Sequence, residues 1–320
     1  MKLTRYFLRR VLGALPVLAI ITFATFALVR VIPGGPFDIA NGKPVPDEMR
    51  AQMEARYGLD QPLLQQFGAY VLNALRGDFG PSLGQTLGQP VSEIIAAKLP
   101  ISARLGILAL LCGYAIGLPL GALSAIHYRG RVDHVISTLA VLGASIPSIV
   151  IAPILVLFFV NVLHWPGPDP RAWTQSSVLS WAFISRAIPP IIALGLGIAA
   201  GLTRLTRASL LQVLDEDYIR TARAKGARER RVIGIHALKN ALIPVATITG
   251  PLLAAILTGT FFIEAIFGVP GLGDTFILSV ADRDYNLLTG VTILYSTLLI
   301  LGNILVDVVY VWLDPRIRYD

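Results

Sequence analysis

The chain has 320 residues, of which 54% are hydrophobic and only 15% charged, with a formal net charge of +7. Water-soluble globules carry about a quarter charged residues, so this composition excludes one and marks an integral membrane protein. A lone cysteine, Cys112, excludes an internal disulfide.

A helix needs about 20 apolar residues to cross about 30 Å of hydrocarbon. Six runs meet that length: residues 11–29, 101–126, 135–163, 184–205, 242–263 and 288–313. The expected fold class is therefore all-α, with six transmembrane helices. The first run follows Met1-Lys-Leu-Thr-Arg-Tyr-Phe-Leu-Arg-Arg10, which has the basic start of a signal peptide. The run is too long for a signal core and offers no small-x-small site before Arg30, so it is expected to remain as a span.

Between spans one and two, residues 32–100 mix charges with proline and glycine. A short helix is expected from Asp47 to a stop at Gly58, and a second after Asp60-Gln-Pro62, with Leu63, Leu64, Phe67, Val71, Ala74 and Leu75 at helical spacing and Gly77 as its stop. Together they read as a small helical insertion on the outer face, serving as a lid or as a docking surface.

Spans two to five carry Pro119, Pro147, Pro153, Pro189, Pro190, Pro244 and Pro251, which are expected to interrupt their helices. Gly106, Gly113, Gly117 and Gly121 line up in span two and permit close helix contact. Arg104 is expected to snorkel to headgroups at the outer end of that span. His164 and Trp165 close span three at the same interface and carry no chemistry.

Lysine and arginine set the orientation. Arg129 and Arg131 lie between spans two and three, and Arg220, Arg223, Lys225, Arg228, Arg230, Arg231 and Lys239 lie between four and five. By the positive-inside rule these loops and both termini face the cytoplasm. The net charge thus reads as topology and contact with anionic lipid, with no nucleic-acid partner.

The basic block, residues 215–244, sits outside the bilayer between two apolar runs. Asp217 is expected to cap a short helix whose Tyr218, Ile219 and Ala222 share one apolar face, and Gly226 to end it in a left-handed turn. A second helix from about Glu229 would carry Val232, Ile233, His236 and Ala237 on one side and run to Pro244. The block can be a plug presented at the membrane surface, or simply a positively charged loop.

Glu264-Ala-Ile-Phe-Gly-Val-Pro-Gly-Leu-Gly273 is glycine-rich, but it follows a membrane helix, contains Pro270 and faces outward, so it makes a poor phosphate cradle. No HExxH, GxSxG, paired-cysteine or Walker-type pattern occurs. No catalytic residue, cofactor or metal site is expected, and the four histidines, 127, 134, 164 and 236, all fall at or beyond helix ends. Asp307, with Asn303 one turn above it, is the one acid placed within a span, as an interfacial polar group or part of a gate.

Several pieces together carry a resemblance: Phe7-Leu-Arg-Arg10 with Arg30-Val-Ile-Pro-Gly34, Tyr57-Gly-Leu-Asp-Gln-Pro62, Gly77-Asp-Phe-Gly80, Tyr218-Ile-Arg-Thr-Ala-Arg-Ala-Lys-Gly226, His236-Ala-Leu-Lys-Asn-Ala-Leu-Ile-Pro244, Arg283-Asp-Tyr285 and Asp314-Pro-Arg-Ile-Arg-Tyr319. Nearly end to end, the chain resembles the permease subunits of bacterial ABC importers for oligopeptides and dipeptides, specifically the first of the two paired permeases. The resemblance implies the type I importer permease fold, placed in the bacterial cytoplasmic (inner) membrane. It further implies that residues 215–244 are the coupling or EAA loop, with Asp217, Tyr218, Ile219, Arg220, Thr221, Ala222, Arg223, Ala224, Lys225, Gly226, His236 and Pro244 as its site residues. Where the general loop has a glutamate six residues before its glycine, this chain has Arg220, which removes that glutamate's salt bridge. The implied partners are a second homologous permease, two cytoplasmic ATPase subunits and an extracytoplasmic binding protein. Residues lining a substrate path are not indicated. Nickel chelates or glutathione on the same scaffold are the alternative cargoes, and an ion-coupled secondary carrier is the alternative class.

Overall fold

The computed structural model describes residues 2–40 and 43–313. Helix α1 (Lys2–Val31) leads to a minimal antiparallel ribbon, β1 (Ile39–Ala40) with β2 (Lys43–Pro44), and then to α2 (Asp47–Arg56) and α3 (Leu63–Ala74). The 36-residue α4 (Val91–Ile126) follows, then α5 (Arg131–Ser145) and α6 (Ser148–Leu157), which runs into a π-helical turn at Phe158–Val162. Next come α7 (Pro170–Thr174) and the 34-residue α8 (Trp181–Leu214). The remaining elements are α9 (Asp217–Ala224), α10 (Glu229–Arg231), a second π turn at Val232–Ala237, α11 (Leu238–Ala241), α12 (Ile243–Gly259), α13 (Phe261–Ile266), α14 (Leu272–Ala281) and α15 (Tyr285–Leu313). The ribbon, α7, α14 and both π turns are elements that sequence periodicity did not anticipate.

Among the described residues, four stretches are long and apolar enough to cross a membrane unbroken: Leu12–Val31, Val91–Ile126, Trp181–Leu214 and Tyr285–Ile304. Two more candidates are bent pairs, Arg131–Ser145 with Ser148–Val162 at 100° and Glu229–Ala241 with Ile243–Leu253 at 45°. Each of the six apolar runs thus overlaps a candidate, two of them bent pairs, and the second pair starts at Glu229 in the basic block and not at residue 242. At the sharper break Ile146 is extended (φ −96°, ψ 119°), because the ring of Pro147 disfavours helical backbone in the residue before it. Pro244 stands in the first turn of α12, where a missing N–H costs nothing. Pro119, Pro189, Pro190 and Pro251, expected to interrupt their spans, lie inside continuous helices.

The chain divides into two compact units, Met1–Ser102 with Pro270–Leu301 and Ala103–Val269 with Gly302–Asp320. In the first, Val29, Phe37, Leu83, Tyr285 and Leu288 form the core. Asp284 is its polar anchor, 1% exposed. Its carboxylate accepts from Ser82 Oγ at 2.5 Å and from the Gly84 N–H at 3.1 Å, and it caps α15 by accepting from the Leu287 N–H at 3.1 Å. Tyr285 Oη donates to the Gly34 carbonyl and Asn286 Nδ2 to the Pro81 carbonyl. Three consecutive residues therefore tie two distant loops to the start of one helix.

In the second unit α4 packs on α8 almost backbone to backbone. A Cβ placed on Gly117 would lie 2.7 Å from the Ala199 carbonyl oxygen, and one on Gly121 would lie 2.6 Å from that of Thr203. The glycine stripe is therefore a contact surface, and Thr203 Oγ1 reaches across it to the Gly117 carbonyl. Further along α8, Arg207 grips Asp133 of α5 through two bonds, Nε to Oδ1 at 2.6 Å and Nη2 to Oδ2 at 2.9 Å. Ser124 Oγ, Ser137 Oγ and the Arg129 N–H also donate to this carboxylate, which is 3% exposed.

Arg104, expected to snorkel, instead turns inward to donate to the Trp173 carbonyl, with its guanidinium over Phe183. Glu264, expected in an outer loop, is fully buried on α13 and accepts from Thr260 Oγ1. The sequence singled out Asp307 alone, yet Glu264 is an acid withdrawn from water. The side chain of Asp307, and the tail 314–320, lie outside the described residues.

Close packing at Gly117 predicts opposite signs for one chemical change. Gly117→Ala should destabilise the purified chain by about 1–3 kcal/mol through overpacking. Gly201→Ala, on the same unit's α8 with nothing within 4 Å of its Cβ position, should be neutral or stabilising by up to ~1 kcal/mol from helix propensity. Thermal unfolding of both variants in detergent reads the difference, and equal effects would remove the close-contact explanation.

Candidate functional site

The basic block folds as a continuation of α8. Charge ends the apolar run at about residue 205, yet the helix persists to Leu214 because Leu210 has a core of its own to fill. That core comprises Ala125, Leu210, Ile219, Val232, Ala237 and Ala241, with Leu211, Leu214, Ala222 and Ala227 packed around it. Burying Ile219 completely contributes about 1.5–3 kcal/mol and fixes α9 against the end of α8.

Glu216 occupies the position before α9, and no side chain caps it. Asp217, expected to be the cap, is the first helical residue, with its carboxylate 3.4 Å from Arg220 Nη1. A negative charge in the first turn still complements the helix dipole. The expected ending is present in detail. Gly226 has φ +76°, its N–H donates to the Arg223 carbonyl, and the Ala227 N–H donates to that of Ala222. This paired closure is a Schellman motif, and its apolar contact joins Ala222 and Ala227.

The apolar face of α9 points elsewhere than expected. Tyr218, Ile219 and Ala222 do not act together: Ile219 is fully buried and Ala222 partly so, whereas Tyr218 is 41% exposed and its Oη accepts from Asn240 Nδ2 at 2.7 Å. The outward surface consists of Asp217, Arg220, Thr221, Ala224 and Lys225, all exposed. Arg223 and Glu229 pair across the glycine turn at 2.7 and 3.2 Å. The bond from Glu229 raises the Arg223 pKa above its ordinary value. With both partners about half exposed, this pair orients the turn and adds little stability.

The second helix is not regular. Its middle is the π turn Val232–Ala237, so the buried side chains fall at 232, 237 and 241. The wider turn puts Ala237 on the core face in place of His236, which is exposed. Pro244 belongs to the next helix. Periodicity also missed the Asp133–Arg207 lock, whose members stand 74 residues apart. The one available signal was an acid inside an otherwise basic loop.

The arrangement is a helical hairpin with polar and small residues outward and its own apolar core beneath. It holds no cluster suited to covalent or acid–base chemistry among the described residues.

The family model described as "Binding-protein-dependent transport system inner membrane component" matches residues 117–319. A companion model, "Binding-prot-dependent transport system membrane comp, N-term", matches residues 3–106. The oligopeptide transport system permease protein OppB of Escherichia coli (strain K12) is 39% identical over 316 residues, covering 98% of this chain and 99% of that protein. The dipeptide transport system permease protein DppB of Bacillus subtilis (strain 168) is 39% identical over 317 residues, covering 99% of this chain and 98% of that protein. Among solved structures, an inward-facing form of the MetNI methionine ABC transporter aligns with a TM-score of 0.53 at 18% identity, covering 68% of this chain and 96% of that one. An amino acid ABC transporter crystallised with histidines gives the same TM-score and identity, covering 68% and 93%. At that identity the structural likeness speaks for the fold alone, which is the permease fold of ABC importers. By its sequence matches over nearly its whole length, the chain belongs to the family of binding-protein-dependent transport system inner membrane components.

Proposed function

We propose that this chain is the transmembrane permease subunit of an ATP-driven importer of oligopeptides or dipeptides. The observation that carries the reading is end-to-end similarity to peptide permeases, at 39% identity over 98% of the chain. The hairpin of residues 215–244 supports it, since it forms a pre-built docking element on a chain with no phosphate-binding motif of its own.

In this reading the chain pairs with a second, homologous permease, two ATPase subunits bind on the cytoplasmic side, and a binding protein delivers peptide from outside. The arginine-rich loops face the cytoplasm together with both termini. Residues 32–100 are an insertion on the outer side, and residues 215–244 are the coupling loop of a single permease domain. Docking uses Arg220, Thr221 and Ala224, while Ile219 holds α9 in place from beneath. ATP-driven movement of the ATPase subunits then reaches α8 without slack, because Leu210 and Ile219 share one core.

The direct test is reconstitution with candidate ATPase and binding-protein partners in vesicles. Uptake of labelled peptides should require ATP and survive a protonophore at constant ATP, and the chain alone should hydrolyse no nucleotide. Uptake that collapses with the proton gradient while ATP persists would transfer the protein to the secondary carriers.

The two faces of α9 predict separable phenotypes. Ala224→Glu should leave the chain's own stability unchanged and reduce ATPase co-purification. Ile219→Ala should lower stability by about 2–5 kcal/mol, as cavity-forming truncations do. If Ala224→Glu retains the ATPase fully, the outward face is not the docking face.

Gly226 supplies the remaining prediction. Nothing lies within 4 Å of a Cβ there, so the cost of a side chain is purely the left-handed backbone. Gly226→Val should cost about 1–2 kcal/mol, which corresponds to roughly a tenfold loss of ATPase association when the strain falls on the docked state. Membrane levels should be normal and uptake low; wild-type uptake with full ATPase retention would show that the turn is not needed for coupling.

A further inference from the structure

In the first unit, α3 is a helix of twelve residues, Leu-Leu-Gln-Gln-Phe-Gly-Ala-Tyr-Val-Leu-Asn-Ala, with no charge along its length and with Asp60 and Arg76 beyond its two ends. One side of it is packed. Phe67 makes edge contacts with Phe23 and Phe26 of α1 at centroid distances of 5.1 and 5.3 Å, Tyr70 lies against Phe26, and Gln66 accepts from Arg30 Nε at 2.9 Å. A second side is apolar and uncovered: Leu64, Leu72 and Leu75, at i, i+8 and i+11 with Gly68 between them, are 71%, 62% and 80% exposed. The exposed Gln65, at i, i+7 with Leu72, edges this stripe, whereas the exposed Asn73 is turned about 100° away from Leu72 onto a third side.

The packed side fixes the depth of the helix. Phe23 and Phe26 belong to the candidate span Leu12–Val31 and precede its end by eight and five residues, or about 12 and 8 Å along the axis at about 1.5 Å per residue. Phe67 is seated there, so α3 lies alongside the apolar part of α1 and not beyond it. Neighbouring α2 shows what a water-facing helix of this unit looks like, since six of its ten residues, Asp47-Glu-Met-Arg-Ala-Gln-Met-Glu-Ala-Arg56, are charged or amide-bearing.

We infer that α3 is an interfacial membrane helix, with its Leu64, Leu72 and Leu75 stripe against lipid acyl chains, Gln65 at the edge of that stripe and Asn73 toward the headgroups. Twelve residues are too short to span the hydrocarbon, and the three-sided pattern is that of a helix lying in the interfacial plane. The occupant is lipid because the helix is held at acyl depth and its open side carries no charge and, at its edge alone, one amide. This inference does not depend on which cargo the chain carries.

The lone native cysteine makes a clean test possible. On a Cys112→Ala background, nitroxide labels would be attached one at a time to Leu64→Cys, Leu72→Cys, Leu75→Cys, Gln65→Cys and Asn73→Cys, with the complete transporter reconstituted in phosphatidylethanolamine and phosphatidylglycerol vesicles. All five positions are exposed, so the labels displace no packing, and assembly is checked by size-exclusion chromatography. Power saturation should show a severalfold excess of oxygen over nickel-chelate accessibility at 64, 72 and 75, the reverse at 73 and an intermediate ratio at 65. Nickel accessibility at the leucine positions would place the stripe in water and overturn the inference. Protection from both probes, with or without the binding protein, would place the stripe against another protein and overturn it equally.

Discussion

Contact between α4 and α8 is the constraint on which the second unit is built. Two helices come this close only where one lacks side chains, and Gly117 and Gly121 supply the gap that the Ala199 and Thr203 carbonyls fill. In a bilayer no hydrophobic effect drives helices together, so such packing, with the occasional interhelical hydrogen bond, has to do it. The Thr203 bond to the Gly117 carbonyl is one of these. Once α8 is held, its far end becomes a fixed post, and both the Asp133–Arg207 lock and the Leu210 core are assembled on it.

That order of dependence explains why the hairpin has a defined shape although it is rich in charge. Exposed ion pairs such as Arg223–Glu229 orient it, but its shape is set by the residues it hides. A hairpin resting on surface charge would soften with salt, since exposed charges are screened within about 8–10 Å. One resting on Ile219, Val232 and Leu210 keeps its form.

Legibility in the sequence followed the range of the interaction. Gly226 was readable because a left-handed turn after a short helix is written in the residue itself, and Pro147 announced a break for the same local reason. The candidate spans and the helices α2 and α3 followed from apolar run length and period. The membership of Ile219 was not readable: an apolar position on a short helix looks the same whether it meets a partner or its own chain, and only Leu210 and Val232, supplied by other elements, decide. Asp133 and Arg207 are too far apart in sequence for any local rule to join them. Neighbour-dependent too is the fate of Pro119, Pro189, Pro190 and Pro251, since surrounding helices and polar groups compensate the freed backbone. The family resemblance was carried by scattered short pieces that no single physical rule links, and the comparisons established it.

The π turn at Val232–Ala237 bears on how such loops tolerate changes of length. A π turn accommodates one residue more than an α turn while its flanks stay in place. Removing a single residue there would return the stretch to an ordinary helix with its flanks still in phase, since the positions of Val232, Ala237 and Ala241 would then stand four apart on one face. Ala241 would keep its place in the core and Asn240 its partner on Tyr218. The spare residue is therefore slack in length, and a one-residue gap in this stretch is absorbed by the turn without changing which side of the segment faces the core.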